Sequence, residues 1–479
     1  MIFNSIAFLI FATCFFLLWP YVRKTSTSRW SFLIVASSVF YGWWDYRYLA
    51  LILISGLIDF LAAMAIHAIP NRKKFFLILS LTGNLGLLFA FKYISFAAKN
   101  VDMALTTFGY HPLLVQGIPD FMLVLPIGIS FYTFQSMSYT IDVYRGQIQP
   151  TRHILHFFAY LALFPQLVAG PILRAKDLLP QLCHDRPVTP ADKWAGLQRI
   201  AYGYFKKVVI ADNLAPIVAM GFKTSPAEAS GLFWWYMTIA FAIQIYGDFS
   251  GYSDIARGLA RWMGYDFSEN FNHPYTASSL RDFWNRWHIS LSTWFRDYLY
   301  LPLGGSRCGN VRGYINLWIT MLLSGLWHGA AWTFIAWGVV HAGFLTLERW
   351  TSWPKHLQKF PFGRSLSTLI VLIQVCIGWV FFRSESLEQA QAILTAMLHF
   401  SGGLSLGFGK TIDLNNFFIT LLVMLPIMIR EWMVYTGWFK PSLFPVAMIR
   451  IASPIWIGLI LAAILYFRGD GHEFIYFQF

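Results

Sequence analysis

The chain has 479 residues, of which 57% are hydrophobic, 19% aromatic and only 12% charged. That balance excludes a soluble multidomain chain and indicates an all-α polytopic membrane protein with about ten to twelve membrane-associated segments of about 20 apolar residues each. The formal charge of +13 lies in short clusters between apolar runs, as in cytoplasmic loops, and forms no long basic stripe, so no nucleic-acid partner is expected.

The N-terminal run MIFNSIAFLIFATCFFLLWPYVRK lacks a basic n-region and a small-residue cleavage site, and reads as a retained first span. Arg23 and Lys24 follow it, which places the N-terminus outside. A first group of spans extends to about Phe91. Its basic connections are marked by Arg23, Lys24 and Arg29, and then by Arg72, Lys73 and Lys74. If three spans precede the second cluster, the first and third connections share one side and the orientation is self-consistent. Phe121–Phe134 holds Pro126 and Gly128 and reads as a broken or re-entrant helix, and His156–Pro171 as a short irregular element.

Lys206 and Lys207 interrupt a helical stretch and are expected to snorkel toward the interface. Leu232–Tyr246 reads as a span. From Asp248 to Pro302 charges, Asn and aromatics mix without a clean span. Ser279 is a plausible N-cap for an amphipathic helix carrying Leu280, Trp284, Trp287, Leu291, Phe295 and Tyr298, with His288 on the face of Trp284. Further spans are expected near Ser367–Phe382, Phe417–Ile429 and Ile455–Phe467, with a short amphipathic helix over Leu387–Leu398. No internal repeat is visible, which weighs against transporters built from inverted repeats.

The sharpest chemical feature lies between Gly313 and Glu348, where His328 and His341 are the only Asp, Glu, Lys, Arg or His residues. As one helix this run would be about 50 Å long, against a bilayer core of about 30 Å. It must bend, tilt or break, and Ser324-Gly325-Leu326-Trp327-His328-Gly329 is the place. A titratable group beside broken backbone in a membrane run is a functional-site candidate, because burying it is costly. His328 therefore reads as a general base on a hydroxyl. Taken alone, His288 reads as a packed core residue. His341 lies 13 residues after His328, about 20 Å along a continuous helix and on another face, and reads as structural.

Asp248, Asp254, Arg257 and Arg261 read first as an ion-pair network and second as a donor-phosphate contact. Gly304-Gly305-Ser306-Arg307 is a weak anion-turn signal. Cys14, Cys183, Cys308 and Cys376 are far apart and suggest neither a disulfide framework nor a zinc site, with Cys14 and Cys376 expected in the core. No metal-ligand spacing and no G-x-S-x-G nucleophile motif occurs.

Five stretches carry a resemblance: LPIGISFYTFQSMSYTIDVYRG, FPQLVAGPILR, DFSGYSDIARGLARWMGYDFSENFNHPY, SLRDFWNRWHISLSTWFRDYLYLPLGG and MLLSGLWHGAAWTFIAWGVVHAG. They run from Leu125 to Gly343, and the closing Tyr476-Phe477-Gln478-Phe479 adds to them. The chain resembles the membrane-bound O-acyltransferase (MBOAT) family, in its alginate O-acetylation branch. The teichoic-acid D-alanylation branch is similar in its histidine motifs but uses a different acyl donor.

The resemblance implies that Trp327-His328-Gly329 carries the catalytic histidine and that His288, in Arg286-Trp287-His288, is the second functional histidine. It implies one membrane domain over 1–479, with N-terminal spans in 1–120, a catalytic core in 121–350 and C-terminal spans in 351–479. In that domain, tilted and re-entrant helices would ring a central funnel. The activity expected is that of a bacterial inner-membrane O-acetyltransferase subunit. It would take acetyl from a cytoplasmic donor, acetyl-CoA, bind no cofactor, and work in membrane lipid with periplasmic polysaccharide acetyltransferase proteins. The acceptor expected is exported alginate, with cellulose or peptidoglycan as alternatives. From another class, a transporter for a small polar solute also fits intramembrane histidine and broken helices.

Overall fold

The computed structural model describes residues 1–110, 113–167, 170–399, 414–438, 446–468, 471–472 and 474–475. The secondary structure among them is entirely helical. Val168 and Ala169 of the FPQLVAGPILR stretch, and Tyr476-Phe477-Gln478-Phe479, lie outside the described residues. The chain divides into two compact units, residues 1–197 with 256–268, and residues 198–255 with 269–479.

The first unit opens with α1 (Ile6–Val22), α2 (Ser26–Asp45) and α3 (Leu49–Ala68), followed by α4 (Lys73–Leu88), α5 (Ile94–Thr107), α6 (Ile129–Tyr144) and α7 (Ile154–Leu161). Ser5 caps α1 by accepting the Phe8 N–H, and Thr25 caps α2 by accepting that of Ser28. On α1, Ile6, Leu9 and Leu17 are each about two-thirds exposed (66%, 65% and 66%). Such a face is stable only if lipid rather than water surrounds it. Between Leu123 and Ile129 the chain is non-helical, and Gly128 takes φ 76° to launch α6, which is the break expected at Pro126 and Gly128.

Three helices, α1 to α3, precede the Arg72-Lys73-Lys74 cluster, as the charge pattern requires. Thr25 and Asn71 are both exposed. Single cysteines at these positions, with the four native cysteines replaced, should resist a membrane-impermeant thiol reagent in intact cells and react once the cells are opened. Labelling of either site from outside would reverse the orientation. One loop marker needs correcting. Arg29 is not a loop residue but lies inside α2, 2% exposed, donating to the carbonyls of Leu182, Cys183 and Arg23.

A polar knot joins α3, α4 and α6. Fully buried Asp59 on α3 accepts hydrogen bonds from Ser80 and Asn84 on α4 and from Ser136 and Thr140 on α6. Four donors solvate this carboxylate where the surrounding medium cannot, and they fix the packing of three apolar helices that hydrophobicity alone would leave free to slide in lipid. The sequence reading missed the knot, because its members are 21 to 81 residues apart in the chain.

Helix α8 (Pro190–Tyr204) runs from the first unit into the second, where it passes through a π-turn at Phe205–Ala211 into α9 (Asp212–Phe222), and within the second unit residues 203–207 pack against residues 247–255 of the long α10 (Gly231–Met263). The Gly203 and Gly251 backbones meet so closely that a Cβ on either would stand 2.7 or 2.8 Å from the other's carbonyl oxygen. That approach corrects the snorkelling expectation, since Lys206 and Lys207 are 3% and 1% exposed. Lys206 pairs with Asp254 at 2.6 Å, and Lys207 with Asp212 and Asp248 at 2.8 and 2.9 Å. Buried ammonium groups are tolerable only when paired in this way. The helix expected to end at Tyr246 therefore continues to Met263, its aspartates at 248 and 254 meeting lysines.

The remaining helices used below are α11 (Leu280–Arg286), α12 (Ile289–Phe295), α13 (Asn310–His328), α14 (Trp332–Thr351), α15 (Gly363–Arg383), α16 (Leu387–Met397), α17 (Leu414–Thr436) and α18 (Val446–Tyr466). The last four cover the apolar and amphipathic segments expected after Glu348. Cys376 on α15 is buried as expected, whereas Cys14 on α1 is exposed on that helix's apolar outer face.

Candidate active site

The long apolar run breaks as the length argument demands. Helix α13 ends at His328, residues 329–331 are extended or bent, and α14 begins at Trp332. The break falls just after His328 rather than before it. Gly329 takes extended backbone, and two further glycines let the helices fold into a hairpin. A Cβ on Gly338 would stand 2.6 Å from the Met321 carbonyl oxygen, and one on Gly325 would overlap the Phe334 carbonyl. Backbone thus packs on backbone, as small residues permit between membrane helices.

His328 is 4% exposed and sits among Trp327, Trp337 and Phe382, with ring centroids 5.0, 4.9 and 5.4 Å away. Its Nδ1 lies 2.7 Å from the Ser324 carbonyl oxygen. A carbonyl oxygen only accepts, so the ring proton is on Nδ1 and the lone pair is on Nε2. The aromatic walls exclude bulk water, which strengthens any charge interaction formed inside.

His288 is fully buried. The structure corrects its expected setting, because the amphipathic helix is not continuous. Ser279 does cap α11, accepting the Asp282 N–H at 3.0 Å, but the helix stops at Arg286 and restarts at Ile289. Between them His288 adopts φ 41° and ψ 54°, in the left-handed region, so it does not share a helical face with Trp284. The turn is held from outside, since Ile289 N–H donates to the Asn270 carbonyl at 2.9 Å. The His288 ring packs edge-on against Phe249 at 4.6 Å and faces Trp327 at 6.0 Å. Trp327 is thus a ring neighbour of both imidazoles, and the hairpin break and the left-handed turn bring His288 and His328 to one aromatic-walled place.

His341 is also folded back toward this place, which the continuous-helix distance did not foresee. Its ring is 4.7 Å from that of Trp337, whose other neighbour is His328. It lies over Gly378 of α15, where a Cβ would stand 2.6 Å from its Nε2. The two histidines share Trp337 as a ring neighbour.

The other singled-out charges are engaged in ion pairs or hydrogen bonds. Besides Lys206, Asp254 pairs with Arg199 at 3.6 Å. In the first unit Arg257 donates to the Phe267 carbonyl at 3.1 Å, and Arg261 pairs with Asp192 at 3.1 Å. The Thr189 hydroxyl and amide, then the Arg186 and Arg261 guanidiniums, hold the Asp192 carboxyl below its usual range. The Gly304-Gly305 turn, with φ 104° and 57°, is fastened by the Asn316 amide, which donates to the Leu303 and Gly305 carbonyls at 3.0 Å each. Among the described residues no group of three or more His, Cys, Asp or Glu is placed to hold a metal ion.

Sequence reasoning missed Asn270, Trp327, Trp337 and Phe382 as neighbours of the two histidines. Only Trp327 adjoins a singled-out residue in the chain. The arrangement supplies two imidazoles buried among aromatic rings, each with Nδ1 facing an acceptor, so that in its neutral form His328 accepts a proton at Nε2.

Residues 147–387 match the model of the MBOAT, membrane-bound O-acyltransferase, family. The chain is 42% identical over 407 residues to the probable alginate O-acetylase AlgI of Azotobacter vinelandii, covering 84% of this chain and 78% of that one. It is 34% identical over 416 residues to a peptidoglycan O-acetyltransferase of Helicobacter pylori, with 81% and 77% covered. To a teichoic acid D-alanyltransferase of Bacillus subtilis it is 28% identical over 292 residues, with 56% and 71% covered. The two histidines lie inside the matched segment, and the apolar helices around them are those of a multi-pass membrane protein. The chain belongs to the membrane-bound O-acyltransferase family and is an acyltransferase.

Proposed function

We propose that this protein is an inner-membrane O-acetyltransferase subunit that takes acetyl from a cytoplasmic thioester, acetyl-CoA, and passes it across the membrane for O-acetylation of an exported polysaccharide, alginate first among the candidates. The observation that carries this reading is His328 at the break of a hairpin whose residues 313–347 include no Asp, Glu, Lys or Arg. Its Nδ1–H is committed to the Ser324 carbonyl and its Nε2 is basic. In the proposed step the acceptor hydroxyl gives its proton to His328 Nε2 while its oxygen bonds to the thioester carbonyl carbon. When the tetrahedral intermediate collapses, the carbon–sulfur bond breaks. The leaving thiolate recovers the proton from His328, so the products are an acetyl ester and a free thiol. His288 is the second functional histidine, placed beside the first through Trp327.

The relative named for alginate is more similar, at 42%, than the one named for peptidoglycan, at 34%, which supports alginate ahead of peptidoglycan. Membrane lipid is the surrounding medium, and periplasmic polysaccharide acetyltransferase proteins are the partners that would carry the group to the polymer. The reading is tested with inside-out vesicles given acetyl-labelled acetyl-CoA. Label should pass to an alkali-labile ester on the lumenal side, with free thiol released outside. Lumenal label without ester or thiol would instead favour solute transport.

A further inference from the structure

We propose that Asn270 is a positioning residue that locks His288 in the Nδ1-protonated tautomer, leaving Nε2 as the proton acceptor; this rests on the acyl-transfer reading above. The Asn270 side chain is 1% exposed, and its Oδ1 is the focus of three contacts. The Ser290 N–H donates to it at 3.2 Å, the Ser290 hydroxyl at 2.8 Å, and His288 Nδ1 lies at 3.1 Å. The orientation of a carboxamide is ambiguous until a neighbour of fixed role settles it. Here the backbone N–H of Ser290 does so, because an N–H can only donate and the atom facing it must be oxygen. At the opposite end Nδ2 faces Ser253 Oγ at 3.3 Å.

It follows that the proton between Asn270 and His288 belongs to the histidine. An amide oxygen carries no hydrogen, so Nδ1 must supply one, and the neutral ring then keeps its lone pair on Nε2. An unconstrained neutral imidazole populates both tautomers, and half of the possible arrangements would present an N–H where a base is needed. Asn270 also fixes where the ring stands. Its main-chain carbonyl takes the Ile289 N–H at 2.9 Å, holding His288 in the left-handed conformation that a residue with a side chain rarely adopts. Both ends of one asparagine thus set the backbone and the ring of the same histidine. His328 has the same tautomer by a different route, through its own helix carbonyl at Ser324. The consequence is a site with two imidazoles of matched polarity, each with Nδ1–H anchored in protein.

The test compares Asn270→Ala and Asn270→Asp with wild type in the purified membrane protein, following thiol release from acetyl-CoA against pH. Alanine removes the acceptor and should lower kcat at least about tenfold, the scale known for loss of the outer hydrogen-bond partner of a metal-bound histidine, with KM for the thioester within about twofold of wild type. Aspartate keeps an acceptor in the same place and should restore kcat to within about fivefold. Its negative charge favours imidazolium, so the acid limb of the pH profile should move to higher pH, where wild type is still active. The proposal is overturned if Asn270→Ala keeps wild-type kcat. It is equally overturned if Asn270→Asp is as impaired as alanine with the acid limb unmoved, which would mark a packing role. Wild-type protein that releases no thiol would count against the acyl-transfer reading instead, whatever the variants do.

Discussion

His328→Ala should abolish polysaccharide O-acetylation while the protein still reaches the membrane in normal amount. The side chain supplies one anchored N–H and one basic nitrogen inside a ring of Trp327, Trp337 and Phe382. Between Gly313 and His341 the sequence holds no other basic side chain. Loss of a positioned general base costs about 10² to 10⁴ in rate. The hairpin should survive, because the backbone contacts at Gly325 and Gly338 do not involve the imidazole. Ester content of the secreted polymer, normalised to membrane protein, checks this. Wild-type ester in a normally expressed variant would remove His328 from the chemistry.

His288→Ala should impair acetylation strongly, by about 10²-fold or more, as loss of a positioned proton acceptor does, and His341→Ala should be milder. His288 shares Trp327 with His328 and sits on a backbone turn that Asn270 holds open for it. His341 meets the Trp337 indole, whose other neighbour is His328, and fills space over Gly378. Its loss leaves a cavity in the α14–α15 contact, which costs stability before it costs chemistry. Measuring ester formation and thermal stability together separates the two effects. Equal loss of activity in both variants at equal protein level and stability would place His341 in the site itself.

How much of this was legible in the sequence depends on how local each cause is. The hairpin break was readable because a charge-poor run longer than the bilayer, with Gly325 and Gly329 inside it, has few alternatives. The three opening helices and their basic connections followed from hydropathy and charge. What failed was whatever depended on distant partners. Lys206 and Lys207 look like interfacial lysines until Asp212, Asp248 and Asp254 are brought to them by a glycine crossing at Gly203 and Gly251. Arg29 looks like a loop charge until the carbonyls of Leu182 and Cys183, about 150 residues away, receive it. The helical spacing after Ser279 is genuine, yet His288 leaves it because Asn270 captures the next two backbone amides. The pairing of His288 with His328 was implied by resemblance, while composition and spacing alone favoured a core residue.

The central claim is that His328 drives transfer of acetyl from a thioester to a hydroxyl acceptor in this membrane domain. Its most direct test is the sided vesicle assay, run with wild type and His328→Ala at matched protein content and orientation. The expected result is that wild type releases thiol outside and forms labelled ester on the lumenal side, while the variant does neither above the protein-free background. Thiol release and ester formation at the same rate in both preparations, or in neither, would contradict it.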